Sequence, residues 1–470
     1  MLFERITSEG LAHYSYLTGD GQEAMVIDPR RDVEVYLEMA YRQRMRIAYV
    51  VETHRHEDFV CGSVELAART GAAIVRSGDL AYYGRPAQEG ESLSIGALRL
   101  QALHTPGHTP GHMSYLLYDA QGAPWALFSG DALFAGDVGR VDLFGPERMS
   151  ELAAQLYDSL FHRILPLGDG LLLCPAHGAG SPCGAAIADR PWTTIGLERQ
   201  LNPRLQYTQR TEFVGAETQP LEYPPYFRTM DRLNKDGPPV LGQLPTPRPL
   251  TPRAVAVQAD RAQVLDTRMV TGFGAAHIPG ALSIWEAGVP GFAGWFLSYE
   301  RPILLVAEGD DVSGAVRHLI RLGFDRIEGY LLGGMLSWHR AGLDSAHTDT
   351  VTVQELCRRL DHGERAWILD VRSASELLEE GRIPGAHHIH VTQLPGRLGE
   401  VPRDVPVYIF CGSGLRSMIA ASLLERAGWQ RLTVVLGGFA GWRSARFPIE
   451  KAEAVPVPVG AKAAGPSDLR

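Results

Sequence analysis

Residues 46–59 read RIAYVVETHRHEDF: a short apolar run of the kind that forms a strand, then a turn dense with histidine and acid. His54, His56 and Asp58 alternate there. Alternate residues of an extended chain lie on one side, so the three can converge on a point. Three further clusters sit at similar strand–turn junctions. HTPGHTPGH carries His104, His108 and His112 among turn-forming proline and glycine, LFSGDALFAGDVGR offers Asp131 at a strand end, and LCPAHGAG places His177 before a glycine-rich turn. Imidazoles and carboxylates gathered this way suit a borderline-to-hard metal ion. A lone histidine is ordinarily a hydrogen-bonded or solvated side chain, and His104 and His112 are read so. The clusters taken together are read as a metal site.

Around that stretch the sequence reads as α/β. EAMVID, AAIVR, LRLQALH and WALFSGD have strand character, whereas DVEVYLEMAYRQR and ERMSELAAQLYDSLF space their apolar residues as helices do. The chain has 470 residues, 45% hydrophobic and 21% charged, which fits a soluble globular protein of about three domains. No apolar run is long enough for a membrane span. The start, MLFERITSEG, has neither the basic nor the apolar region of a secretory signal. Cys61, Cys174, Cys183, Cys357 and Cys411 form an odd, scattered set, which argues for a reducing compartment and a cytoplasmic location. The net charge of −9 carries no basic stripe, so neither nucleic acid nor a membrane is an expected partner. Only three of the 45 basic residues are lysines, a bias read as coding preference.

Residues 236–252, DGPPVLGQLPTPRPLTP, contain six prolines and read as an extended linker. Beyond it the sequence repeats. Asp266-Thr267-Arg268 recurs as Asp370-Val371-Arg372, Ile278-Pro279-Gly280-Ala281 as Ile383-Pro384-Gly385-Ala386, and Leu332-Gly333-Gly334 with Trp338 as Leu436-Gly437-Gly438 with Trp442. Three signals in register indicate a duplicated domain. The organisation expected is therefore a large domain over 1–245, two smaller α/β domains over 253–345 and 351–450, and a tail over 451–470 that extends or frays.

THxHxD, TPGH, SGD and PAHG, in this order, resemble the metallo-β-lactamase fold, a four-layer αββα sandwich. That fold usually shows a histidine after the aspartate of the first motif and binds two metals; here the position holds Phe59, which has no lone pair to donate. The resemblance then points to the persulfide dioxygenase branch, which uses a single iron, with His54, His108 and Asp131 as its ligands. Two histidines and a carboxylate on one face leave open positions for substrate and O₂. Dioxygen chemistry requires a redox-active metal, so one Fe(II) per chain is expected, with zinc the alternative. His56, Asp58 and His177 are expected to orient those ligands. Arg140 matches a family position near the anionic groups of the thiol substrate, or is a structural arginine on a turn. Cys183, six residues after His177, is read as a buried inert thiol, with a place near the iron site and a persulfide of its own as the alternative; Cys61, Cys174 and Cys357 are read as inert.

The strand PVYIF leads into Cys411-Gly412-Ser413-Gly414-Leu415-Arg416 and then into the helix SMIAASLLERAG, closed by Gly428. Backbone N–H groups of so small a loop can point inward, and the helix N-terminus and Arg416 add positive potential, so the loop can hold an anion at the cysteine sulfur. Cys411 and Arg416 are the expected catalytic pair, and Gly412, Ser413, Gly414 and Leu415 the cradle. Four residues between cysteine and arginine, with DVRSASELLEEGRIPGA and LGGFAGW on either side, resemble the rhodanese sulfurtransferases; Arg382 stands where histidine is common. The first copy has VAEGDDVSGAV instead, with no cysteine and with Glu308, Asp310 and Asp311, so a scaffold or docking role is expected of it.

Together the two resemblances imply a fusion of persulfide dioxygenase and rhodanese. Its partners would be glutathione persulfide or a related thiol persulfide, O₂, and sulfite or thiosulfate, and the family's tendency toward dimers allows a homo-oligomer. The competing readings are a zinc thioester hydrolase of glyoxalase II type with an appended sulfurtransferase, and a persulfide-sensing module without turnover.

Overall fold

The computed structural model describes residues 1–78, 82–216 and 220–451; most of the expected C-terminal tail, from residue 452 on, lies outside them. The chain divides into two compact units, Met1–Leu244 with Arg317–Gly323, and Pro245–Val316 with the residues from Phe324 onward.

In the first unit, β1 (Leu2–Ser8), β2 (His13–Asp20), β3 (Glu23–Ile27), β4 (Arg46–Val51), β5 (Ala73–Arg76) and β6 (Arg85–Pro86) form one sheet in sequence order. Its first three strands run antiparallel and the rest join in parallel. A second sheet holds β7 (Ser92–Ile95), β8 (Leu98–His104), β9 (Met113–Tyr118), β10 (Pro124–Gly130), β11 (Leu172–Pro175) and β12 (Thr193–Thr194), of which only β10 and β11 pair in parallel. Helices α1 (Glu34–Arg42), α2 (Ser63–Thr70), α3 (Met149–Ser159), α4 (Ile195–Leu201), α5 (Arg210–Ala216) and α6 (Phe227–Asp236) complete the unit.

The burial pattern shows the layers. Tyr16, Met25, Ile27 and Val51 of the first sheet meet Leu100, Tyr115 and Phe128 of the second in one apolar cluster. On the far side of the first sheet, Val26 and Val50 join Tyr36 and Ala40 of α1 and Leu66 of α2. On the far side of the second, Leu116 and Leu127 join Leu152 and Leu156 of α3 and Ile195 of α4. Each sheet is apolar on both faces and is covered on both, which is the αββα sandwich.

The second unit holds two sheets with the same plan. The first contains β13 (Arg248–Leu250), β14 (Gln263–Asp266), β15 (Leu282–Ser283), β16 (Ile303–Val306) and β17 (Ile327–Leu331), in the order β13-β17-β16-β14-β15. The second contains β18 (Asp349–Thr352), β19 (Trp367–Asp370), β20 (His387–His388), β21 (Val407–Phe410) and β22 (Leu432–Leu436), in the order β18-β22-β21-β19-β20. All pairings are parallel. The crossovers carry α7 (Pro252–Ala259), α8 (Val270–Ala275), α9 (Val289–Phe296), α10 (Ser313–Arg321) and α11 (Gly334–Arg340), then α12 (Val353–Asp361), α13 (Ala374–Glu380), α14 (Leu415–Arg426) and α15 (Gly438–Ser444).

The proline-rich stretch is not linker throughout. Its residues Arg248–Leu250 form β13, which pairs with β17 alone. An edge strand tolerates Pro249 because one side of it needs no donor. Pro252 then opens α7, where its missing N–H costs nothing, and the Thr251 hydroxyl accepts the Ala254 N–H as a cap.

Candidate metal centre and cysteine loop

The centre lies at the carboxyl ends of parallel strands in both sheets of the first unit. Asp28 follows β3, Thr53 and His54 follow β4, Asp131 follows β10, and His177 follows β11. His54 Nε2 and His108 Nε2 stand 3.6 and 3.4 Å from Asp131 Oδ2, and neither nitrogen has a hydrogen-bond partner. Their other ring nitrogens fix the tautomers. His108 Nδ1 lies 2.9 Å from the Arg140 carbonyl, which can only accept, so that nitrogen carries the proton. His54 Nδ1 lies 2.9 Å from Thr53 Oγ1, whose own proton goes to Asp28 Oδ2 at 2.8 Å. Thr53 therefore accepts from His54, and both Nε2 lone pairs face the centre. Burial, reinforced by neighbouring imidazoles, keeps His54 far below the usual histidine range; burial also lowers His108. Burial opposes a charge on Asp131, but His177 and His108 outweigh it and hold the carboxyl below its usual range. Two buried neutral imidazoles with idle lone pairs beside an ionised carboxylate are costly alone and fit a cation.

His56, Asp58 and His177 form a second group. His177 spans the two groups, with Nδ1 2.8 Å from Asp131 Oδ1 and Nε2 2.9 Å from Asp58 Oδ2. Burial disfavours its charge, but the two carboxylates raise it above the ordinary value. His56 Nε2 is 3.2 Å from Asp28 Oδ1. The Phe59 ring sits 4.5 Å from that of His56 and 4.1 Å from that of His13, centroid to centroid. His13, which the sequence reading passed over, is wholly buried there, its Nδ1 bonded to Ser8 Oγ and its Nε2 unpartnered.

Of the two readings of Arg140, the hydrogen bonds match that of a structural arginine. Its guanidinium makes a fork to Asp142, at 2.6 and 2.7 Å, and donates to the carbonyls of Pro182, Leu221 and Glu222. All five donors are occupied, so the side chain ties three segments together and has none left for a thiol's anionic groups. Its contribution to the centre is the backbone carbonyl that orients His108. His112 is a hydrogen-bonded histidine, as read, although its Nε2 accepts the Asp131 N–H at 2.9 Å and so anchors a member of the centre. Cys183 is buried, and its sulfur falls within reach of Asp131 and His177.

Cys411 is buried at the end of β21, and the Gly414 N–H donates to its sulfur at 3.1 Å. The loop is closed from above by α15: Phe439 N–H donates to the Cys411 carbonyl and Ala440 N–H to that of Gly412. Gly438 has φ +50°, and a Cβ there would meet the Cys411 carbonyl at 2.2 Å, so only glycine fits. Arg416 forms a fork to Glu376 with both contacts at 2.6 Å. Burial works against the Glu376 carboxylate, but Arg416 and the Ser373 N–H hold it down at about 2. Glu376 is thus the partner that fixes Arg416. It also completes the capping box of α13, the only local signal that could have singled it out.

Residues 9–177 match the metallo-β-lactamase superfamily and residues 352–445 the rhodanese-like domain. Mitochondrial persulfide dioxygenase ETHE1 of Bos taurus is 32% identical over 201 residues, which cover 41% of this chain and 71% of that protein. Hydroxyacylglutathione hydrolase of Albidiferax ferrireducens is 30% identical over 234 residues, covering 42% and 84%. A crystal structure of a metallo-β-lactamase from Staphylococcus aureus COL shares 32% identity at a TM-score of 0.63, over 71% of this chain and 98% of that one. The chain belongs to the metallo-β-lactamase superfamily. It carries a C-terminal rhodanese-like domain as well. Superfamily relatives of two activities, an oxygenase and a hydrolase, stand at similar distance from its first unit, so the metal chemistry is argued from the site.

Proposed function

We propose that this superfamily member oxidises low-molecular-weight persulfides with O₂ at one Fe(II), held by His54, His108 and Asp131, and moves sulfane sulfur through Cys411 with Arg416. The observation that carries this reading is the pair of buried, unpartnered Nε2 lone pairs converging on Asp131, next to a second group where a phenyl ring takes the place of a donor. Bound there, Fe(II) supplies the redox chemistry that O₂ requires. The overall change is RSSH + O₂ + H₂O → RSH + H₂SO₃: the terminal sulfur loses four electrons, O₂ gains them, and water completes the sulfite. The chain's own part is to fix the imidazole tautomers through Thr53 and the Arg140 carbonyl, and to hold a proton on His177 between Asp58 and Asp131. In the last domain the sulfur of a Cys411 persulfide passes to sulfite, which leaves the thiol and thiosulfate, or the same transfer runs in reverse. Gly412, Ser413, Gly414 and Leu415 cradle it.

The proposed division is oxygenation within 1–245, a rhodanese-like scaffold over 253–345 and transfer within 351–450, in a reducing cytoplasm. Glutathione persulfide is the first substrate to try. Oxygen uptake by the iron-loaded chain, with sulfite and thiosulfate measured by ion chromatography, should give one of the two, summed, per O₂; intact iron content without uptake defeats the reading. The grouping of His56, Asp58 and His177 favours a second reading, a two-zinc thioester hydrolase of the hydroxyacylglutathione hydrolase kind. Two zincs per chain with thioester cleavage would select it.

A further inference from the structure

The loop that carries His54, His56 and Asp58 contains no regular structure between Val51 and Ser63, so something outside it must set its shape. Asn234, in α6, does this through three hydrogen bonds. Its Nδ2 donates to the carbonyls of His56 and Phe59, both at 2.7 Å, and its Oδ1 accepts the Cys61 N–H at 2.9 Å. The side chain is buried and lies more than 170 residues away in sequence. One turn earlier on the same helix, Asp231 pairs with Arg55, the residue between the two histidines. Helix α6 therefore grips the loop at four points and touches none of the ligating atoms.

We propose that Asn234 is the positioning residue of this loop, with Asp231 in support, and that it sets how tightly the centre holds its metal. The reasoning is geometric. The Asn234 amide satisfies two carbonyls that bracket Asp58, and both would be left buried and unpaired without it. A shift of the loop moves His54, His56 and Asp58 together, and outer groups that orient metal ligands are ordinarily worth about 10- to 100-fold in metal affinity. This inference rests on the reading of the centre as a metal site and is independent of whether the reaction is oxygenation or hydrolysis.

Asn234→Asp keeps the shape and the acceptor for Cys61 but turns an oxygen toward both carbonyls; Asn234→Ala removes all three bonds. The measurement is cobalt(II) or iron(II) affinity of the full-length chain by competition with a chelator, together with the ligand-field spectrum of the cobalt form. Both variants should bind about 10- to 100-fold more weakly with an altered spectrum, while a cooperative circular-dichroism melt like the parent's reports an intact first unit and thiosulfate:cyanide sulfur transfer stays at the parent level. Asp231→Asn, at a half-exposed position that folding tolerates, should weaken binding a few-fold and serves if the Asn234 variants fold poorly. Parent-like affinity and spectrum in the folded variants would overturn the proposal and leave the metal reading standing. A parent chain that binds neither metal would instead remove the reading itself.

Discussion

The second unit contains its own control, because its two halves have one topology and two different loops. In both, an Asp-x-Arg pair closes the turn after a central strand. Arg268 forks to Asp266 and donates to the Ala276 carbonyl; Arg372 forks to Asp370 and donates to that of Gly381. In both, the tryptophan of the last helix donates its indole N–H to a nearby carbonyl, Asp344 for Trp338 and Pro448 for Trp442. The chemistry-bearing parts differ. Ala307 stands at the place of Cys411, and Gly272 at the place of Glu376, next to Glu308. The loop from Ala307 to Val312 is two residues longer than Cys411–Gly414 and acidic. The repeated motifs therefore maintain the fold, and the proposed sulfur chemistry falls on the unrepeated ones.

The sharpest way to break this contrast is Cys411→Ser, which should abolish thiosulfate:cyanide sulfur transfer and leave oxygen uptake at the parent rate. Residual transfer would move the nucleophile elsewhere. Next in size come Arg268→Ala and Arg372→Ala. Each leaves a buried carboxylate unpaired, a loss of about 3–5 kcal/mol, and denaturant melts should show similar destabilisation for the two. A large inequality would mean that the shared motif does different work in the two halves. Glu376→Gln should keep the fold but release Arg416, lowering transfer about tenfold by steady-state kinetics; an unchanged rate would show that Arg416 needs no partner.

A smaller effect should appear on acidification. Burial, with Arg416 nearby, lowers His390 to about 4, and Glu376 is held at about 2. His390 is neutral in the fold and protonates more readily when unfolded, so its contribution is lost as pH falls from about 6.5 through 4. Glu376 is ionised in the fold below its ordinary range, so its contribution is complete above about 4.5 and lost as pH falls toward 2. Melts of the parent and Glu376→Gln should converge as pH drops below about 4.5. Parallel curves down to pH 2 would contradict the sign.

What could be read from the sequence was what is local in it. RIAYVV became β4 and THRHED the turn beyond it because a strand end and alternate side chains need no distant partner. The three in-register repeats, likewise, foretold two sheets of one order. Asp28, Asn234 and Glu376 escaped because the partners that give them a role, Thr53, the loop around Phe59 and Arg416, lie tens to hundreds of residues away; His13 escaped because its ring neighbours His56, Phe59 and His177 are equally remote. The two readings of Arg140 could not be separated for the same reason, since three of its acceptors, at Pro182, Leu221 and Glu222, are remote. The proline stretch concealed β13 because composition reports a lost donor without telling which side of the strand is missing its neighbour.

Asp28 has φ +50°, a left-handed turn that side-chain-bearing residues seldom adopt. Its carboxylate takes the Thr53 N–H and hydroxyl and stands beside His56. The backbone there forgoes on the order of 1 kcal/mol that a glycine would recover. Glycine would recover that much but leave the buried Thr53 N–H and hydroxyl without an acceptor, at about 1–3 kcal/mol each, so the left-handed turn is retained for the sake of the threonine–histidine relay it anchors.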